Sequence, residues 1–186
     1  AKEIMLGSAL PEKRPAIQRR FAIIAASIIL IVIIGIILYL SGDKVYTNNE
    51  LFTMYHKPYE PDIIIRSDSE IVRELESAIL FYSKGNYSTA FNEFVNILVN
   101  DKYNYLAQFY LGLTCMELNK FDVATEQFTS IPENWGSPFR YHMEWYLALC
   151  YLNKNNIDEA KAQLIKIKSV NKYYKIKAEE ILDKLN

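Results

Sequence analysis

Residues 81–90 read FYSKGNYSTA: an aromatic residue, a short polar turn carrying a glycine, a second aromatic residue and an alanine. The same arrangement returns 34 residues later as CMELNKFDVA (115–124) and 36 residues after that as YLNKNNIDEA (151–160). Phe81, Cys115 and Tyr151 open the three blocks, Tyr87, Phe121 and Ile157 follow the turn, and Ala90, Ala124 and Ala160 close them. A fixed period of this length marks a stacked structural repeat rather than an isolated corner.

The flanks keep the register. Three residues before each block stands a small residue, Ala78, Gly112 or Ala148, and four after its last alanine a bulky one, Phe94, Phe128 or Leu164. Small residues facing each other let paired helices approach to about 8 Å, and bulky ones fill the space beside them. Each unit is therefore expected to be a helical hairpin. The second interval is longer because IPENWGSPFR (131–140), with Pro132, Gly136 and Pro138, lengthens the connection. Trp135 in that loop has two open readings, a cap on the core or a contact for a partner.

FYLGLTCMELNKFDVATEQF (109–128) and WYLALCYLNKNNIDEAKAQL (145–164) resemble the tetratricopeptide repeat, and the resemblance covers 70–186. It implies an all-α domain of three hairpins, near 71–104, 105–140 and 141–174, with a capping helix over 175–186. Three departures from the family pattern stand out. Its early tryptophan is replaced by Glu74, Gln108 and Glu144, its late alanine by Ile97, Ile131 and Ile167, and its final proline is absent. In such a fold the first helices line a concave groove, which the register assigns to Leu75, Ile79, Tyr82, Leu106, Phe109, Leu113, Met116, His142, Trp145 and Leu149. The resemblance also makes Ala78, Ala90, Gly112, Ala124, Ala148 and Ala160 the repeat-defining contacts. Because Leu75, Ile79 and Phe109 replace the polar residues of the family's carboxylate clamp, the expected ligand is apolar: an amphipathic helix, a hydrophobic strand or the chain's own residues 41–69.

Ahead of the repeats, FAIIAASIILIVIIGIILYL (21–40) carries no charge. At about 1.5 Å per residue it reads as a single transmembrane helix in contact with lipid. Lys13, Arg14, Arg19 and Arg20 crowd its N-terminal side, which predicts a cytoplasmic flank over 1–20 and an outward-facing repeat domain. Residues 41–69 form a strap, in which Pro58 and Pro61 exclude a continuous helix, 49–56 form a short helix and DIIIR (62–66) is extended. This layout is similar to single-pass repeat proteins of the Gram-negative envelope, which implies an inner-membrane location with the repeats in the periplasm.

Composition narrows the chemistry. With 21 Lys and Arg against 22 Asp and Glu, the chain lacks the basic excess of a nucleic-acid binder. Two histidines and two cysteines give no metal-ligand spacing, and no phosphate loop or activated serine is present, so neither an enzyme nor a cofactor is expected. Cys115 and Cys150 fall on neighbouring first helices, whose separation favours free thiols over a disulfide. The resulting expectation is a scaffold or accessory subunit that binds a protein partner in an envelope complex, with signalling through the span or a holdase as alternatives. Because Ala124 is placed at the close contact of its hairpin, Ala124→Leu is expected to cost roughly 1–3 kcal/mol in a denaturant titration.

Overall fold

The computed structural model describes residues 16–40, 44–60, 70–136 and 138–185. The described residues are all-helical. The chain divides into two compact units, 1–44 and 45–186. The first contains α1 (Ala16–Leu40). The second contains α2 (Asn48–Tyr55), α3 (Glu70–Ser83), α4 (Tyr87–Asn100), α5 (Tyr105–Glu117), α6 (Phe121–Ser130), α7 (Phe139–Asn153), α8 (Ile157–Val170) and α9 (Lys175–Lys184).

The expected membrane span and location are corrected. Among the described residues no helix is long and apolar enough to cross a membrane. The inner-membrane placement and the periplasmic orientation of the repeats fall with it. Most of the basic flank (1–15) and the DIIIR stretch lie outside the described residues.

In the second unit α3 packs on α4, α5 on α6 and α7 on α8, and each hairpin packs on the next through α4 with α5 and α6 with α7. The three corners are the same object. Gly85, Asn119 and Asn155 sit at equivalent places with positive φ of 74°, 57° and 61°. At each corner the amide three residues beyond the helix reaches back to the carbonyl that opens the block: Asn86 to Phe81 at 2.9 Å, Lys120 to Cys115 at 2.7 Å and Asn156 to Tyr151 at 2.9 Å. The amide before it bonds the adjacent carbonyl, Gly85 to Tyr82 at 2.9 Å, Asn119 to Met116 at 3.0 Å and Asn155 to Leu152 at 3.1 Å. This paired pattern closes a helix whose next residue is left-handed, a conformation glycine adopts freely and asparagine tolerates.

The second helices then present one face in register. Ala90, Ala124 and Ala160 are buried, as are Phe94, Phe128 and Leu164, and as are Ile97, Ile131 and Ile167. Facing them, Ala78, Gly112 and Ala148 lie in the first helices, with both alanines fully buried. Gly112 has no freedom to be anything larger. A Cβ there would meet the Phe128 ring, with Cζ at 2.8 Å and Cδ1 at 2.9 Å. The central helices α5 and α7 are covered on nearly all sides, from Phe109 to Met116 and from Met143 to Cys150, because each lies between its own partner and the neighbouring hairpin.

The last hairpin is closed by α9, whose Ala178 and Ile181 are fully buried against the stack. Its approach is set by Asn171, a buried residue with every polar atom satisfied. Its amide nitrogen donates to the Tyr141 carbonyl at 2.9 Å, and its oxygen accepts from the amides of Tyr173 and Tyr174 at 3.0 and 3.1 Å. Two substitutions separate the packing constraint from the backbone one. Gly112→Ala overpacks against Phe128 and is expected to lower stability by about 1–3 kcal/mol. By contrast Asn119→Gly is neutral or mildly stabilising, whereas Asn119→Val, forced to positive φ, loses about 1–2 kcal/mol in the same urea titration.

Candidate functional site

The face formed by the first helices is covered by the chain itself. Residues 45–60 begin at a capping box, in which the Glu50 amide donates to Thr47 Oγ1 at 3.2 Å and the Thr47 amide donates to Glu50 Oε2 at 2.8 Å. This reciprocal pairing satisfies the open amides at the start of α2. The helix stops before Pro58, because the residue preceding a proline is pushed to extended backbone. The chain is already extended at His56, with φ −72° and ψ 130°.

Along α2 the fully buried Leu51 is the apolar anchor. Phe52 meets the Phe121 ring edge-on at 5.2 Å, and Tyr55 meets Trp145 at 6.4 Å. Polar contacts fix the ends. Asn48 bonds Asn155 at the third corner, Tyr55 donates to Glu180 of α9 at 2.9 Å, and His56 Nε2 lies 3.2 Å from Glu117 Oε1 at the end of α5.

The extended part is held more specifically. Tyr146 donates from its hydroxyl to the Lys57 carbonyl at 2.9 Å, and the Tyr59 amide donates to the Tyr82 hydroxyl at 3.0 Å. Two tyrosines, one on α3 and one on α7, thus grip the main chain on either side of Pro58. Burial pushes both phenols well above their ordinary range, so each remains an intact hydroxyl. The Tyr59 ring enters a cage of Phe109 at 5.5 Å, Tyr110 at 6.1 Å, Phe139 at 6.5 Å, His142 at 5.0 Å and Tyr146 at 6.3 Å. Most of these pairs are edge-to-face, the geometry in which a ring's positive edge meets its neighbour's negative face.

The sequence-assigned groove residues divide accordingly. Leu75, Ile79, Tyr82, Phe109, Leu113, Met116, Trp145 and Leu149 are buried, whereas Leu106 and His142 are half-buried. The register therefore brings core residues together rather than lining an open apolar channel. Trp145 is stacked on Tyr174 at 4.7 Å and 4°, and His142 Nδ1 lies 2.6 Å from the Tyr174 hydroxyl. Trp135 is half-buried, stacked on Phe139 at 6.3 Å and edge-on to Tyr105. Sequence reasoning missed Tyr59, Phe139 and Tyr146. The available signals were the proline immediately before Tyr59 and the position of Tyr146 beside Trp145.

On the other side of α7, Glu144 has its carboxylate almost wholly buried. Arg140 Nε bonds one of its oxygens at 3.1 Å, and Lys166 Nζ stands 3.6 Å from the same oxygen while bonding Glu133 at 2.8 Å. A recess of about 230 Å³ lies over this group, walled by Phe128, Met143 and Leu147.

Among the described residues no group of histidine, cysteine and acidic side chains could hold a metal ion. Cys115 and Cys150 are both free and buried. Burial pushes the Cys115 thiol up to about 11 and the Cys150 thiol higher still. Since the thiolate is the reactive form, the native chain is expected to show no fast reaction with a disulfide reagent at pH 7.5, and two reactive thiols once urea unfolds it. No family model matches this chain, no curated protein matches it, and no solved structure matches it.

Proposed function

We propose that residues 45–186 are a protein-interaction module of three tetratricopeptide-type hairpins whose peptide-binding face is closed by the chain's own strap. The observation that carries this reading is the grip on residues 56–60. Tyr82 and Tyr146 bond main-chain atoms, and the first helices of the second and third hairpins supply a ring cage for one side chain. Main-chain bonds supply affinity without regard to sequence and a side-chain pocket supplies selectivity, which is how peptide-recognition surfaces divide the work.

The scaffold suits this role. Stacked hairpins contact only their neighbours, so first helices from successive units form a continuous face without long-range rearrangement. Leu51, Tyr55 and Tyr59 show the side-chain types that face accepts.

Affinity purification of the full chain under native conditions, followed by native mass spectrometry, tests the reading. A single second protein in fixed stoichiometry is expected, with cross-links on 45–60 and on the first helices. A chain recovered alone, or with a variable mixture of proteins, overturns it.

A further inference from the structure

The polar grip on the strap is directed at an X-Pro-aromatic segment. The carbonyl before Pro58 and the amide after it are both bonded, and both bonds come from buried tyrosine hydroxyls of the repeat domain. Proline itself has no amide to offer, and its ring fixes the backbone in the extended form that places these two groups. The side chains of Lys57, Pro58 and Glu60 are exposed, whereas the Tyr59 ring is inserted among the rings of α5 and α7. The requirements are therefore narrow at two positions and loose at their neighbours: a proline, then an aromatic residue, in an extended chain.

The cis occupant is buried only in part. Within 45–60 only Leu51 is fully buried, while Val45, Thr53, Met54, Lys57, Pro58 and Glu60 are exposed. Segments with few buried contacts open locally at much lower free energy than the core. The two tyrosines and the cage belong to α3, α5 and α7, which are packed independently of the strap by α4, α6 and α8.

We propose that the cleft between Tyr82 and Tyr146 is a recognition site for an extended Pro-aromatic segment of a partner protein, and that residues 56–60 are its built-in competitor. This rests on the interaction-module reading and names the partner's chemistry. A protein bearing an accessible Pro-Tyr or Pro-Phe segment displaces the strap, with its main chain bonding the two hydroxyls and its ring replacing that of Tyr59. The strap thereby sets a threshold: the apparent affinity of the partner is lowered by the fraction of time the cleft is occupied in cis.

The test uses the full chain and a fluorescent peptide of residues 54–60, MYHKPYE. The double variant Pro58→Ala, Tyr59→Ala weakens the cis occupant and is expected to bind this peptide at least tenfold more tightly than the unaltered chain. MYHKPAE is expected to bind the variant at least tenfold more weakly than MYHKPYE. Equal binding of the two peptides, or no gain over the unaltered chain by a variant that keeps its helical circular dichroism and cooperative melting, overturns the proposal. Hydrogen exchange on the unaltered chain is independent of how the variant folds. Saturating MYHKPYE should speed exchange of the Leu51–Tyr55 amides, and unchanged exchange at those amides also overturns it. Failure of either experiment leaves the fixed-stoichiometry complex standing as the separate test of the interaction module, so the two readings fail independently.

Discussion

Close approach of two helices within each hairpin is the constraint on which the rest of this domain depends. It is met by placing a residue of minimal volume opposite a large one. Gly112 under the Phe128 ring is the tightest case, where even a methyl group has no room. Ala78 and Ala148 occupy the equivalent places in the other hairpins. Interiors are packed to crystal-like density, so a small change in the separation of one pair passes directly to the next. Because α5 and α7 are enclosed on almost every side, an error at Gly112 would be felt by the first hairpin and the third alike.

A second constraint comes from what the stack leaves uncovered. Three first helices side by side present Tyr82, Phe109, Tyr110 and Tyr146 to the strap. Residues 45–60 cover this face, and the manner of covering is informative. Leu51 and the rings of Phe52, Tyr55 and Tyr59 supply the apolar burial, while tyrosine hydroxyls satisfy the main chain where helix geometry ends at Pro58. An extended segment carries unpaired amides and carbonyls that must find partners when buried. Here the domain provides them from side chains, so recognition of the strap depends on two phenols that burial keeps protonated.

Glu144 shows the same economy on the opposite side of α7. A buried carboxylate is stable only when paired, and removing one partner leaves an uncompensated charge. Arg140, one helical turn earlier, supplies that pairing within the same helix, and Lys166 brings α8 to it. Glu144 is thus a polar joint between the two helices of the third hairpin.

Several features were legible in the residues because they are local or periodic. The three corners, the alanine and phenylalanine register, the short helix before Pro58 and the terminal cap all follow from spacing, turn chemistry and side-chain volume acting within one or two turns of helix. The expected helix at 49–56 and the observed α2 at Asn48–Tyr55 differ by a single residue at each end, since Thr47 and Pro58 mark its limits. Periodicity also assigned Leu75, Phe109, Leu113 and Trp145 to the inner face of the first helices, but left open whether residues 41–69 or a partner fills it. That depends on what lies above them, and the strap reaches α7 from about 90 residues away in sequence, as the Tyr146 to Lys57 bond records. The same limit applies to Tyr59, whose role comes from five rings on two helices, and to Glu144, whose partners come from α7 and α8. Local propensity and volume determine which elements form and how neighbours pair. Only the tertiary structure decides which of the resulting surfaces remain available, because that is set by contacts between segments that no spacing rule connects.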